Sequence, residues 1–252
     1  MTITNYFTTA TVLLLMLAAC GAPSEEDPGD DEQPAQDHHN DDRAVEGSAP
    51  TIEVATHTEC EVFQPCLIEV AIDGDPEPIV TLETGLVAGM SFDADAGVIE
   101  GRPEPGAVGD VELVVRADNG VEPYAQVSFE LSVVAPTPPQ ELVWYRTGSD
   151  DDAGVEPAGP ALVLMGGGPD VDEAFQWWNA YINGGDVVVL RTSGSDGYND
   201  YLYHQIGAVN SVETLVVDRR SLADDPYVAY RLQRAEAIFM AGGDQATYLE
   251  SW

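Results

Sequence analysis

The sequence contains no lysine, and its nine arginines face 45 acidic residues, so the formal net charge is -36. A chain this acidic repels nucleic acid backbones and anionic lipid surfaces, which argues against nucleic acid as a partner. It would attract cations or cationic peptides, although a solvated acidic surface that keeps the protein soluble is the simpler interpretation. The charge therefore excludes some classes of partner and assigns no function.

Long apolar runs are also lacking, apart from one near the N-terminus. The stretch "ATVLLLMLAAC", residues 10–20, is too short to span a bilayer as a mature helix and is typical of an export signal. Its last residues, Leu17-Ala18-Ala19-Cys20, resemble the lipobox of bacterial lipoproteins, although residues 1–9 lack the usual basic residue. This resemblance implies a signal peptide over residues 1–19 and a lipid on Cys20. It also implies a bacterial cell-envelope location, at the outer membrane or cell surface, with the bilayer as a partner. The alternative is an ordinary signal peptide with an incidental cysteine.

Residues 20–49 lack the apolar side chains that a folded core needs. Positions 25–46 hold ten carboxylates against Arg43, so we predict an acidic disordered tether. His38 and His39 could bind a metal ion, but a flexible tether offers no fixed geometry. We therefore predict no metal site.

Residues 50–135 show short alternating strands separated by turn residues, the pattern of an antiparallel β-sandwich. Residues 85–134 resemble the Ig-like or cadherin-like modules of bacterial surface proteins. Four aspartates could bind calcium, but Asp beside Gly in a hairpin usually serves turn geometry. They are Asp73, Asp75, Asp93 and Asp95.

Cysteine is scarce, with three residues in the whole chain. If the lipid takes Cys20, then Cys60 and Cys66 remain in an exported domain, where oxidation is permitted. We predict a disulfide between them; a pair of buried free thiols is the alternative.

After a proline-rich linker at residues 136–141 the periodicity changes to buried strands that alternate with helices. This pattern, over residues 142–252, predicts an α/β doubly wound parallel sheet. The predicted strands are "ALVLM", "DVVVL", "ETLVVD" and "AIFMA", residues 161–165, 186–190, 213–218 and 237–241. Helix signals lie between them: a capping box of Asp170 with Glu173, a stop at Gly184-Gly185, and a start at Asp225-Pro226.

The carboxyl ends of these strands are where ligands bind in such folds. Gly166-x-Gly168 there suggests a dinucleotide site. However, Val171 replaces the third glycine of the fingerprint, and Pro169 lacks the N–H that would face a phosphate. We predict no cofactor.

Four strand-end motifs together resemble the cyanophycinase family of serine peptidases. They are "ALVLMGGGPDVDEAF", "DVVVLRTSGSDGYNDYLY", "SVETLVVD" and "AEAIFMAGGDQ", in this order, within residues 141–252. The resemblance implies a fold like that of class I glutamine amidotransferases and a peptide substrate, arginine-rich in this family. Members of the family hydrolyse cyanophycin, a polymer of aspartate with arginine side chains, to β-Asp-Arg dipeptides.

The same resemblance implies roles for individual residues. Gly242, Gly243, Asp244 and Gln245 would lie on the oxyanion and substrate side, with N–H groups near Gly243 stabilising negative charge. Candidate substrate loops carry Gly167, Gly168, Ser193, Ser195 and Asp196.

The family's nucleophile stands on a G-x-S-x-G elbow, and residues 141–252 contain no such motif. Gly194-Ser195-Asp196-Gly197 is one residue short, and His204 lies in a helical pattern typical of packing. We therefore expect an incomplete α/β domain whose catalytic Ser and His would follow Trp252, and no hydrolysis by this chain. The alternative is a non-catalytic surface protein that binds cationic or arginine-rich peptides. The sequence predicts no oligomeric state.

Overall fold

The computed structural model describes residues 46–252. The signal peptide, Cys20 and most of the tether lie outside the described residues. Within residues 46–252 no helix has the length and apolar character needed to cross a membrane.

The first part of the described chain is a β-sandwich, as the alternating pattern predicts; its strands pair antiparallel except for β2, which is parallel to β9. Its strands are β1 Ser48–Glu53, β2 His57–Glu61, β3 Cys66–Glu69, β4 Ala71–Asp75, β5 Ile79–Leu82, β6 Met90–Asp93, β7 Val98–Gly101, β8 Gly109–Asp118 and β9 Ala125–Val134. They form a four-stranded sheet in the order β2-β9-β8-β5, a three-stranded sheet β3-β7-β6, and the pair β1-β4. A single 3-10 turn, Pro105–Ala107, precedes β8.

Alternation along the strands builds the core of the sandwich. In β8 the residues Leu113, Val115 and Ala117 are fully buried, while the residues between them are partly accessible. Ile99 and Leu131 belong to the same apolar cluster as Leu113 and Val115. One face of each strand is therefore sequestered and the other is solvated, as expected for two packed sheets.

Two predictions for the sandwich, a turn at Asp93 and a bond between two cysteines, can be compared with its contacts. The Asp93 carboxylate accepts hydrogen bonds from the backbone N–H groups of Asp95 and Ala96, at 3.1 and 3.0 Å, which fixes a turn. Cys60 and Cys66 are joined by a disulfide.

The second part is an α/β unit with a four-stranded sheet in the order β10-β12-β11-β13. Its strands are β10 Val143–Gly148, β11 Asp186–Arg191, β12 Ser211–Val216 and β13 Ala237–Met240. Its helices are α1 Asp172–Ile182, α2 Arg220–Ala223, α3 Pro226–Arg234 and α4 Gln245–Ser251, with a π-helix at Tyr201–Ile206. Strand β11 is parallel to both β12 and β13, whereas β10 is antiparallel to β12. The sheet is therefore mixed, and the prediction of a parallel sheet holds for three of its four strands. Apolar clusters cover both faces of the sheet.

The prediction of a strand at residues 161–165 is wrong. This segment has no regular structure, and its Leu162 and Leu164 are 76% and 85% exposed. A strand forms only where its backbone groups pair with a neighbouring strand, and residues 161–165 make no such pair: β12 and β13 occupy both sides of β11, and the segment does not pair with the outer edge of β13. The unpredicted β10 takes the other side of β12.

Helix α1 begins and ends differently from the prediction. Val171 is the residue before the helix and no side chain caps it, so the capping box of Asp170 and Glu173 does not form. The helix ends at Asn183 in the left-handed conformation, ahead of the two glycines. The predicted start of α3 is confirmed, because the Asp225 side chain accepts a hydrogen bond from the Tyr227 N–H at 2.8 Å.

Candidate functional site

A cavity of about 660 Å³ lies at the edge of the α/β sheet beside β13. Residues 161–168 form one wall, β13 with Gly242 and Gly243 forms another, and residues of α1 with Tyr198 complete it. Its volume is within the range of about 300–1,000 Å³ that is usual for ligand clefts. We take this cavity as the candidate site because it joins two of the glycine-rich segments that the sequence indicated.

The Gly242-Gly243 turn follows directly from the end of β13. The Ala241 N–H still donates to Leu190 O in β11, at 3.0 Å, and the chain then leaves the sheet. Among residues 46–252, no protein acceptor takes a hydrogen bond from the N–H of Gly242 or Gly243. A Cβ atom on Gly243 would lie 3.1 Å from the Tyr248 ring, whereas one on Gly242 would meet nothing within 4 Å. Both N–H groups are therefore available to a ligand.

Asp244 and Gln245 have structural positions outside the cavity lining. The Asp244 carboxylate caps α4 by accepting from the Ala246 N–H at 2.9 Å, and Gln245 is the exposed first residue of that helix. The predicted substrate-side set is thus divided, because the two glycines line the cavity and the two side chains do not.

Gly167 and Gly168 line the cavity, as predicted for a substrate loop, and Gly166 lies beside them. A Cβ added to any of these three glycines would meet nothing within 4 Å. Tight packing therefore does not explain them, and they leave the wall of the cavity open.

Ser193, Ser195 and Asp196 belong to the loop after β11 and do not line the cavity. Arg191 folds back over this loop and donates from Nε to Ser193 O and from Nη1 to Ser195 O, at 3.0 and 2.9 Å. Between the two serines, Gly194 has φ +101°, and a Cβ there would come 2.6 Å from the guanidinium. The arginine organises the loop through its carbonyl groups, and the serine hydroxyls take no part in that contact.

Aromatic rings that no sequence motif singled out form the floor of the cavity. The Phe239 ring lies 4.8 Å from Tyr198 and 5.3 Å from Phe175, both edge to face, and Trp178 also lines the cavity. The signal was available in the period-two pattern of "AIFM", which directs Phe239 to the face that α1 covers.

Asp170 is the one carboxylate among the lining residues, and the Tyr198 hydroxyl donates to its Oδ1 at 3.3 Å. Burial raises the pKa of the Tyr198 phenol, and the negative charge of Asp170 raises it further. The phenol therefore stays protonated at neutral pH and remains a hydrogen-bond donor at the rim.

No catalytic pair of serine and histidine exists among residues 46–252. His204 projects from the π-helix with its side chain 64% exposed, and its nearest charged neighbour is Asp200, at 3.9 Å. The other described histidine, His57, hydrogen-bonds to Glu130 on the sandwich at 3.0 Å. Neither imidazole hydrogen-bonds to a serine hydroxyl among these residues, which is the contact that a serine–histidine pair requires.

Comparisons with known proteins gave no matching family model and no matching curated protein. Solved structures give weak matches over about a third of the chain. A Bacteroides fragilis NCTC 9343 protein described as an alpha-galactosidase matches with a TM-score of 0.31 and 17% identity, over 34% of this chain and 18% of that one. The titin M10 and obscurin-like 1 Ig complex matches with a TM-score of 0.29 and 23% identity, over 36% of this chain and 99% of that one. The titin M3 domain gives 0.28 and 18%, over 34% and 97%. This chain thus spans less than a fifth of the first of these proteins, and matches of this quality indicate no activity.

Proposed function

We propose that the protein is an exported lipoprotein whose α/β unit is of the cyanophycinase-like serine peptidase kind and binds peptides at the cavity beside β13. In this proposal the lipid on Cys20 holds the protein at the cell envelope and the tether separates the folded part from the membrane. The described residues supply the substrate side of the site. They supply neither the nucleophile nor the base, so the expected activity of this chain is binding without hydrolysis.

The observation that carries the proposal is the convergence of Gly166–Gly168 and Gly242-Gly243 on one cavity. The N–H groups of Gly242 and Gly243 have no acceptor within residues 46–252. Peptide carbonyl oxygens are acceptors that need such donors when water is excluded. A cleft with free N–H groups and an aromatic floor therefore suits a peptide ligand.

A binding and cleavage assay tests the proposal. The mature chain with Cys20→Ser, which carries no lipid, is titrated with a fluorescent peptide of β-Asp-Arg units, and the mixture is then analysed by mass spectrometry. We expect saturable binding and an intact peptide. Cleavage by this chain that is lost in Ser195→Ala would contradict the assignment of the catalytic groups.

Two glycine variants locate the binding. Gly242→Leu fills the cavity, because its Cβ direction is open, and should weaken binding about tenfold or more. Gly85→Leu is the matched control, since Gly85 also has open space around its Cβ position but lies in the sandwich. Equal peptide affinities of the two variants would mean that the peptide does not bind in the cavity.

A second candidate function is a surface protein that binds cationic, arginine-rich peptides without any catalytic role. It is favoured by the large acidic excess of the chain and by His204, which makes no hydrogen bond to a serine hydroxyl among residues 46–252. The dependence of peptide binding on salt concentration distinguishes this candidate from the first one. Binding by general charge should weaken steeply between low and physiological ionic strength, whereas binding inside the cavity should change little.

Localisation has its own test. Cys20→Ser should move the protein from the membrane fraction to the soluble fraction. Mass spectrometry of the wild-type N-terminus should find a lipid on Cys20; an unmodified N-terminus at another residue would rule the anchor out.

A further inference from the structure

We infer that Arg191 is a specificity residue of the candidate site and binds a carboxylate group of the peptide ligand. This carboxylate is either the C-terminal group of the peptide or an acidic side chain. The inference rests on the proposed function in one respect, namely that peptides bind beside the Gly242-Gly243 turn. It adds a charged contact and a class of ligand.

Arg191 differs from most arginines of the chain because it has no carboxylate partner. All of the nine arginines except Arg43 lie within residues 46–252. Six of these have a carboxylate oxygen within 4.0 Å: Arg116, Arg146, Arg219, Arg220, Arg231 and Arg234. Arg191 and Arg102 have none among the described residues. In a chain with 45 acidic residues, an arginine without such a partner is unexpected.

The Arg191 guanidinium is fixed in position and still has donors to offer. Its Nε and Nη1 donate to Ser193 O and Ser195 O, so the side chain is held over the loop after β11. A guanidinium has five N–H donors, and no acceptor within residues 46–252 takes a hydrogen bond from Nη2. The side chain is partly exposed, so a ligand can reach it. A planar group that is already positioned loses little conformational entropy when it binds a carboxylate.

The register of the sheet brings Arg191 next to the Gly242-Gly243 turn. Leu190 lies opposite Met240 in the parallel pair of β11 and β13, so the following residues, Arg191 and Ala241, also lie side by side. Adjacent strands are about 4.8 Å apart. The turn begins one residue later, so the guanidinium starts from a backbone position directly beside it.

Two phenol rings relate the guanidinium to the cavity. Arg191 is not itself a lining residue, but its Cζ lies 5.9 Å from the ring centroid of Tyr198, which does line the cavity. The Tyr248 ring packs 3.1 Å from the Cβ position of Gly243. Burial raises the pKa of the Tyr248 phenol, and the positive charge of Arg191 opposes that rise. The charge is therefore close both to the cavity rim and to the ring beneath the turn.

This position does not depend on what pairs with the outer edge of β13. Strand β11 has β12 on one side and β13 on the other. A further strand would add beyond β13 and would leave Arg191 at the carboxyl end of the same central strand. Ligands of α/β sheets bind at this end.

The combination of groups suits a carboxylate within a peptide. Hydrogen bonds from a guanidinium to a carboxylate are about twice as strong as those between neutral groups. The N–H groups of Gly242 and Gly243 have no acceptor within residues 46–252 and can take a neighbouring carbonyl oxygen or the second carboxylate oxygen. The net charge of -36 repels an anionic ligand at long range, so such a ligand needs a local positive group.

Three labelled peptides test this contact. Each is an N-acetylated tetrapeptide of alanine with one variable residue: aspartate with an amidated C-terminus, asparagine with a free C-terminus, and asparagine with an amidated C-terminus. They are titrated against the Cys20→Ser chain at physiological ionic strength, which screens the long-range repulsion. We expect at least one carboxylate peptide to bind about tenfold more tightly than the neutral peptide, and the tighter one identifies the source of the carboxylate. Equal affinities of all three would overturn the inference.

Substitution of Arg191 separates ligand binding from support of the loop. In Arg191→Gln the preference for a carboxylate peptide should disappear, whereas Arg191→Lys, which keeps the charge without the planar fork, should retain part of it. If Arg191 only supported the loop, Arg191→Gln would weaken all three peptides by the same factor and the preference would survive, which would overturn the inference. Arg102→Gln is the matched control. Arg102 also lacks a carboxylate partner and donates to a backbone carbonyl, Phe63 O at 2.5 Å, but it lies in the sandwich.

A small carboxylate distinguishes failure of this inference from failure of the proposed function. The probes are N-acetylglycine and its uncharged amide, observed through the side-chain NMR resonances of Arg191 and Arg102. If N-acetylglycine alone shifts the Arg191 resonance while no peptide binds, the carboxylate site stands and the proposed peptide binding fails. If all three peptides bind equally and Gly242→Leu weakens them together, peptide binding stands and the role of Arg191 is wrong.

Discussion

The sandwich and the α/β unit bury different kinds of side chain. Seven polar or charged residues are buried among residues 46–252, and all seven lie in the α/β unit, between Asp186 and Ser251. The buried residues of the sandwich are apolar, with a disulfide among them. The sandwich is thus specified by local alternation of apolar residues, whereas the α/β unit depends on polar contacts between distant parts of the chain.

Three polar networks illustrate the difference. Buried Asp186 accepts hydrogen bonds from the Asn210 side chain and the Ala153 N–H, both at 2.9 Å. Asn199 accepts from Thr214 Oγ1 at 2.6 Å. The third network surrounds Glu213, which is fully buried in β12. The partners in each network come from other elements, so the network adds specificity only when the whole unit has folded.

Substitution of Glu213 should give the largest change in stability and so tests this comparison first. Its Oε2 accepts from Arg231 Nε at 2.5 Å and from Arg146 Nη2 at 3.2 Å, and its Oε1 accepts from the Tyr227 hydroxyl at 2.7 Å. Burial raises the pKa of Glu213, and the Tyr227 hydrogen bond and the Arg146 charge oppose that shift. Glu213→Gln removes the buried counter-charge of two arginines that are 15% exposed or less, and Arg146 keeps only the exposed Asp150, 3.7 Å away. We expect the free energy of unfolding to fall by about 3–5 kcal/mol.

Urea unfolding of the wild type and Glu213→Gln measures this loss. Glu130→Gln is the control, because Glu130 pairs with His57 on an exposed surface and should change stability by about 1 kcal/mol or less. A loss from Glu213→Gln as small as that of the control would mean that the network adds little to the α/β unit.

Leu131 tests the sandwich in the same way. It is fully buried at the centre of β9, and Leu131→Ala removes apolar contacts and leaves a cavity. We expect a cost of about 2–5 kcal/mol. Leu67→Ala is the matched control on β3, since Leu67 is 59% exposed, and its cost should stay near about 0.5 kcal/mol. Similar costs for the two variants, measured by urea unfolding, would contradict the assigned core.

This contrast explains which parts of the fold the sequence could predict. In β8 and β9 the alternation is local, so both strands were predictable from a few adjacent residues. Strand β10 was missed because Arg146 interrupts its apolar pattern and is accommodated by Glu213, 67 residues away. Residues 161–165 were assigned to a strand because they are apolar, but an apolar run does not specify its partner.

For the candidate site, the sequence predicted the position of the glycine segments but not the roles of the neighbouring side chains. The glycine segments stood at strand ends, and the general rule for α/β sheets placed ligands there. The side-chain roles of Asp244, Ser193 and Ser195 were not predictable, because a helix cap and the folding back of Arg191 decided them. Such contacts depend on backbone geometry that the sequence pattern does not contain.

Loss of the disulfide should lower stability by a smaller amount, and the change should be confined to the sandwich. Cys60 and Cys66 are six positions apart, so the loop they close is short and the entropic stabilisation is about 2 kcal/mol. Dithiothreitol, or the double variant Cys60→Ser with Cys66→Ser, should lower the stability of the sandwich by about that amount. Probes in the α/β unit, such as the fluorescence of Trp178, should respond less. Peptide mapping that finds both thiols free in the untreated protein would contradict the bond.

The smallest expected change in stability comes from the Asp118 carboxylate, which lies on the surface of the sandwich, whereas Glu213 is buried. Asp118 accepts hydrogen bonds from the Gly120 N–H and from Arg116 Nη2, both at 3.0 Å. The Gly120 bond, followed by the Arg116 bond, lowers the pKa of Asp118 below its usual value. A lowered folded-state pKa means that the ionised form stabilises the fold. That contribution is present above the unfolded pKa, about 3.9, and is lost as pH falls through the folded value.

Carboxyl NMR titrations of the wild type and Arg116→Gln resolve the two contributions to the Asp118 pKa. Because the backbone donor is the larger cause, we expect the pKa in Arg116→Gln to rise only part of the way to its usual value. Asp118→Asn should reduce the loss of sandwich stability at acid pH slightly, since about half of the Asp118 side chain is exposed and solvent screens its charge. A full return of the pKa in Arg116→Gln would show that the ion pair alone sets it. An exposed charge of the sandwich would then behave like the paired charges of the α/β unit, and the contrast between the two regions would rest on burial alone.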